Sequence, residues 1–205
     1  IWYNFMKYIR PTKTGFLVEN ISAINIARKF KTPFYCYSLS QLKSNYINFK
    51  KSFKKIAPLV CFSVKSNSNL VLLKELKKLG SGADVVSVGE LAKSLKAGIS
   101  KNKIVFSGVG KTKEELIFAI NKEILLINVE SESELILINE LSKKFGKKTS
   151  IGIRLNPNVD ALTHKKISTG KKDDKFGLTY ENFINLVKKI NQFKNIKLDA
   201  ISVHI

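Results

Sequence analysis

The sequence is short of cysteine, of acid and of long apolar runs. Cys36 and Cys61 are its only cysteines. That excludes a disulfide framework and a thiolate zinc site, and no metal is expected. Two unpaired thiols suit a reducing compartment, so a cytoplasmic protein is expected. No apolar run approaches the roughly 18 residues that span a bilayer. The opening residues, IWYNFMKYIR, lack the apolar stretch of a secretory signal. No membrane partner is expected. The first residue is Ile, and Met6 is the expected start, with Ile1 to Phe5 as upstream or fragment sequence.

Acidic residues number 16 against 36 basic ones, a net charge of +20 over 205 residues. Nucleic-acid binders carry such a surplus. Here the lysines are scattered over nearly every helical face, as in Lys74/Lys77/Lys78, Lys143/Lys144 and Lys188/Lys189. Lys, Asn and Ile are abundant together, which is the mark of compositional drift. No DNA- or RNA-reading motif accompanies them, and no nucleic-acid partner is expected.

What the chain does have is globular composition, 44% hydrophobic and 25% charged, and a regular beat. From residue 57 short apolar runs alternate with helical patterns. The runs at 58–65, 82–88, 103–108, 124–130, 149–156 and 198–205 read as strands. The stretches at about 69–79, 88–97, 113–122, 132–145 and 180–193 read as helices. This alternation predicts βα units around a parallel sheet, either doubly wound or closed as a TIM-type barrel. Ser87–Glu90, Thr112–Glu115 and Ser131–Glu134 fit capping boxes where a strand hands over to a helix. Gly80, Gly98 and Gly146 stand where a helix wants a left-handed residue after its end. Ahead of this region, Phe16–Glu19 reads as a strand, Ile21–Phe30 as a helix, Thr32–Ser38 as another strand and 40–54 as a helix. Pro11 and Gly15 mark a loose N-terminal end.

Strand periodicity locates the chemistry. Val60, Phe62 and Val64 share one face; Leu59, Cys61, Ser63 and Lys65 share the other. Ser150, Gly152, Arg154 and Asn156 lie opposite Ile151, Ile153 and Leu155. Ala200, Ser202 and His204 lie opposite Ile201, Val203 and Ile205. Three strands thus bring Lys65, Arg154 and His204 to their C-terminal ends on a small-residue face, where α/β folds build their sites. Taken singly, each is more often structural, Lys65 as a snorkelling side chain. A partly desolvated amine is more easily neutral, and a neutral amine attacks carbonyls. One decoy is set aside. SGVGKT (107–112) follows a strand, but a P-loop needs Gly at 105, which is Val105. Gly108 and Gly110 read as turn residues and Thr112 as an N-cap.

Several stretches resemble, in order, the fold-type III pyridoxal phosphate-dependent decarboxylases. They are FSVKSNSN (62–69), GSGADVVSVGEL (80–91), FSGVGKTKEEL (106–116), IRLNPNVDALTHKKISTGKKDDKFGL (153–178) and ISVHI (201–205). The resemblance covers essentially residues 8–205. Departures are mild: Ser63 and Ser66 where Ala is usual, and Val88 where Gly is common. The H-x-x-I-S-T-G stretch favours the branch acting on meso-diaminopimelate, giving lysine, over those acting on ornithine, arginine or a carboxy-polyamine.

The resemblance implies a (β/α)8 barrel truncated after about six strands. Residues 1–38 would contribute to a β-rich second domain, and 39–205 would form the incomplete, pyridoxal phosphate-binding barrel. About 250 residues complete such a barrel, so an N-terminal half that is inactive alone is expected. It further implies that Lys65 carries the cofactor covalently as the catalytic residue, that His204 stacks on its ring, and that Asp84, Glu90 and Arg154 surround it. Glu90 reads equally well as a capping residue. The 157–178 insertion is too long for a passive link. By resemblance it covers the site, with His164, Ile167, Ser168, Thr169 and Gly170 as the substrate loop. A homodimer is implied for the complete enzyme. A non-catalytic pyridoxal phosphate-binding barrel stays open as the other reading.

Overall fold

A computed structural model describes residues 7–160, 162 and 176–205. The chain opens with a small antiparallel sheet of β1 (Ile9–Thr12), β2 (Gly15–Val18) and β3 (Ile21–Ser22). The stretch marked by Pro11 and Gly15, expected to be loose, therefore lies in a sheet. Pro11 sits on edge strand β1, opposite Phe16, where a missing N–H costs no ladder bond. Helix α1 (Ala23–Phe30) follows and buries none of its side chains. The strand expected at Thr32–Ser38 does not form. Residues 31–37 are all exposed, so the alternating side chains have no sheet to pack against. Ser38 instead caps helix α2 (Leu39–Lys51), accepting from Gln41 N at 3.0 Å.

The second sheet holds β4 (Cys61–Ser63), β5 (Gly82–Val85), β6 (Ile104–Phe106), β7 (Leu126–Val129), β8 (Thr149–Arg154) and β9 (Ile196–Ser202), all parallel and in sequential order. Between them run α3 (Leu70–Lys78), α4 (Val88–Lys96), α5 (Lys113–Lys122), α6 (Glu132–Lys144) and α7 (Tyr180–Lys189). A doubly wound sheet reverses its strand order; this one never does, which selects the barrel topology of the two expected. The strands end earlier than the apolar runs, and α7 passes into a 3-10 turn at Ile190–Gln192. No helix among the described residues is long and apolar enough to cross a membrane.

The sheet's outer face makes the core. Ala83, Val85, Ile104, Phe106, Ile127, Val129, Ile151 and Ile153 are fully buried against Leu73, Leu91, Leu116, Leu135 and Ile138 of the helices. Each of these side chains larger than Ala83 contributes about 1.5–3 kcal/mol by leaving water. The inner face carries Ser63, Asp84, Asn128, Gly152 and Ser202 instead. Thr112 and Glu115 form a full capping box. Glu90 and Glu134 each reach one residue further back, accepting from Val86 N at 2.9 Å and Glu130 N at 2.7 Å. Gly80, Gly98 and Gly146 take positive φ after their helices, as expected.

Gly82 is held by close approach. A methyl there would run into the Lys103 carbonyl and lie 2.6 Å from Cys61 Sγ. Gly82→Ala is expected to lower the denaturant midpoint, by about 1–3 kcal/mol in stability. Adding Cys61→Ala should not restore it, because the backbone clash stays. A second expectation concerns Glu75, which ties α2 to α3 by pairing with Lys43 at 2.6 Å and Lys78 at 2.5 Å. The Lys43 hydrogen bond, then that of Lys78, holds its carboxyl down at about 2 against an ordinary 4.5. A depressed carboxyl stabilises the fold above its unfolded value and ceases to as pH falls through the folded one. Stability should therefore drop between about pH 4.5 and 2. Denaturant titrations of Glu75→Gln should show a shallower slope across that window.

Candidate active site

The C-terminal ends of the parallel strands surround a cavity of about 600 Å³. Its lining includes Ser63, Lys65, Asp84, Glu130, Arg154 and His204. Lys65 sits in a 3-10 turn, Val64–Ser66, that ends strand β4. Val64 is fully buried and fixes that turn. The small polar residues of SNSN then wind the chain into α3. Ser66 Oγ donates to Ser63 O at 2.7 Å, Asn67 Oδ1 accepts from Asn69 N at 3.0 Å, and Asn69 Oδ1 caps Val71 N at 2.8 Å. No described residue gives the Lys65 ammonium a hydrogen bond or an ion pair. Partial desolvation of this lysine was expected from its strand position. It is exposed instead, because β4 is an edge strand and nothing in the described chain flanks it.

Asp84 lies on β5 opposite Ser63 and faces the cavity. Its Oδ1 accepts from Ser107 Oγ at 2.6 Å. Arg154, at the end of β8, is buried and committed. Its Nη1 donates to both Glu130 oxygens, at 2.9 and 3.2 Å, and its guanidinium lies 4.8 Å from the centre of the Phe176 ring. His204 lies beyond the end of β9 and lines the cavity. Glu90 is not among the residues lining the cavity; its carboxylate accepts from Val86 N at 2.9 Å, one residue before the N-cap of α4, and not from Ser87 N as the capping box expected. His164, Ile167, Ser168, Thr169 and Gly170 lie outside the described residues. Burial, then the charge of Asp84, pushes the Cys61 thiol up to about 11, so it stays protonated and unreactive.

Sequence reasoning missed Glu130 and Lys111. Glu130 ends the apolar run of β7 just as Lys65 ends that of β4, a signal that was legible. Besides Arg154 it accepts from Gly108 N at 3.2 Å and Gly177 N at 2.9 Å, tying three stretches of the rim together. The Lys111 side chain is buried, donating to Gly108 O and Asn128 O at 2.7 Å and to Glu134 Oε1 at 2.9 Å. A buried lysine needs such partners. Two buried atoms in the cavity wall, Asn128 Oδ1 and Ser202 Oγ, have no hydrogen-bond partner among the described residues. A polar ligand would satisfy them.

A family model described as "Pyridoxal-dependent decarboxylase, pyridoxal binding domain" matches residues 39–205. The chain belongs to this family. The pyridoxal-dependent decarboxylases similar to it include the diaminopimelate decarboxylase of Vibrio cholerae, 41% identical over 98% of this chain and 48% of that one. That of Helicobacter pylori (strain J99) is 46% identical over 85% and 43%. Among solved structures, the diaminopimelate decarboxylase of M. jannaschii superposes with a TM-score of 0.88 at 38% identity, covering 99% of this chain and 49% of that one. The Helicobacter pylori decarboxylase complexed with L-lysine does so at 0.86 and 41%, covering 89% and 46%. The chain spans about half the length of these relatives. These similarities confirm the barrel topology.

Breaking the buried pair should cost more than either partner's surface contacts suggest. Glu130→Ala leaves Arg154 without its counter-charge and two backbone N–H groups without an acceptor. A loss of about 3–5 kcal/mol is expected in denaturant unfolding. Glu130→Gln, which keeps an acceptor, should lose less.

Proposed function

We propose that this chain is part of a pyridoxal 5'-phosphate-dependent decarboxylase that converts meso-2,6-diaminopimelate to L-lysine. The observation that carries this reading is the uncommitted ammonium of Lys65 at the mouth of a cavity that also holds Arg154 and His204. The residues fit the cofactor. A free amine can bind its aldehyde, and the unsatisfied Asn128 and Ser202 atoms call for a polar ligand at that depth. When bound, the cofactor would supply a sink for the electron pair left on carbon as CO2 departs. Lys65 would hold it through its side-chain amine. Arg154, fixed by Glu130, presents positive charge to it without moving. Asp84 and His204, which line the same cavity, would orient it. Three of the similar structures are complexes with L-lysine, the product expected here.

The substrate loop, His164 with Ile167 to Gly170, is assigned to covering the site and helping to read the substrate. We also assign residues 1–38 to a β-rich domain and 39–205 to the barrel. The exposed apolar side chains Phe30 and Tyr35, at 65% and 90%, support a covering partner for that first segment. A cytoplasmic homodimer is part of the same reading. An arginine decarboxylase of a Chlorella virus shares the fold at 23% identity, which supports the barrel and says nothing of substrate.

The test is CO2 release by the full-length protein with added cofactor. Turnover of meso-diaminopimelate should exceed that of ornithine and arginine. Lys65→Ala should lower it by several orders of magnitude, and a Lys65→Ala protein of normal activity would overturn the reading.

A further inference from the structure

Asp84 is not held by a cation. Behind it runs a chain of hydrogen bonds across three strands: Asn128 Nδ2 donates to Ser107 Oγ at 3.0 Å, and Ser107 Oγ donates to Asp84 Oδ1 at 2.6 Å. The direction of this chain is forced. An ionised carboxylate only accepts, so the Ser107 proton must point at Asp84. The Ser107 oxygen is then left as an acceptor, and only the amide nitrogen of Asn128 can meet it. The Asn128 oxygen must therefore turn away, towards β8, where it is buried without a partner. It can turn there because its register neighbour is Gly152. A Cβ at 152 would lie 2.5 Å from Asn128 Oδ1. Asn128 itself is 8% exposed, and its backbone oxygen takes the buried Lys111 ammonium at 2.7 Å.

We propose that Asn128 and Ser107 are positioning residues. They fix the rotamer of Asp84 towards the bound cofactor, and Gly152 gives Asn128 the clearance to do so. The inference rests on the decarboxylase reading above. It differs from a packing role because the effect must pass through one atom, the Asp84 carboxylate. Removing either link frees the carboxylate to rotate, and a misplaced group at a reacting centre costs rate steeply.

The experiment is a double-mutant cycle on the full-length holoenzyme, with Lys65→Ala as the control for the underlying reading. Ser107→Ala and Asn128→Leu should each lower kcat/KM by about 10- to 100-fold and shift the visible absorption band of the bound cofactor. In an Asp84→Asn background both should have little further effect, because the group they position is already neutral. Ser107→Ala removes a single oxygen and serves where Asn128→Leu fails to fold. Equal losses in both backgrounds, or an unshifted band and undiminished kcat/KM in Ser107→Ala, would overturn the inference while leaving the decarboxylase reading intact. An active wild type whose Lys65→Ala variant is equally active would remove both.

Discussion

The Glu130–Arg154 pair is the contact on which the site's shape depends. Glu130 is buried at the end of β7, and its two oxygens take donors from the loop after β6, from β8 and from Gly177. Three separate stretches of the rim are thereby set by one carboxylate. Gly177 can reach it because no side chain intervenes; a Cβ there would lie 2.8 Å from the Arg154 carbonyl. The pair is not a large source of net stability, since both charges give up water to form it. Its effect is geometric: Arg154 has one place to be, and so has the chain on either side of it.

The same economy runs through the other acids. In a chain with 36 basic residues and 16 acidic ones, carboxylates recur where strands turn into helices. Glu115 closes its own capping box and also accepts from Val88 N, at the start of the neighbouring helix α4, at 2.9 Å. Glu134 accepts from Glu130 N and binds the buried Lys111. These groups link adjacent βα units at the same level as the cavity. Most lysines, by contrast, stand in solvent and take no part in the fold, in keeping with their scatter along the sequence.

The barrel units were legible because their signals are local. Apolar runs, capping boxes and post-helix glycines each occupy a few residues, and the structure places each close to where it was read. The choice between a doubly wound sheet and a barrel was not local. It depends on strand order, which periodicity cannot carry. Residues 32–38 show the opposite failure: alternation was present, but a strand needs a neighbour, and none lies beside it. In the site, Lys65, Asp84, Arg154 and His204 were found by alternation or by resemblance. Glu130 was read only as the last residue of the 124–130 strand, and its partners Gly108, Arg154 and Gly177 come from distant stretches that periodicity does not connect. Ser107 and Asn128 carry no charge to attract notice, and their linkage crosses strands.

Strand order also bears on how the chain assembles. Each strand from β4 to β9 pairs only with those next to it in sequence. A growing chain can therefore add one βα unit at a time to an edge already built, with short closures up to β8 and a longer one before β9. Lys65 is synthesised before His204, which follows it by 139 residues. The cavity is thus laid down in the order of synthesis, and its two sides meet only when the last of these strands docks.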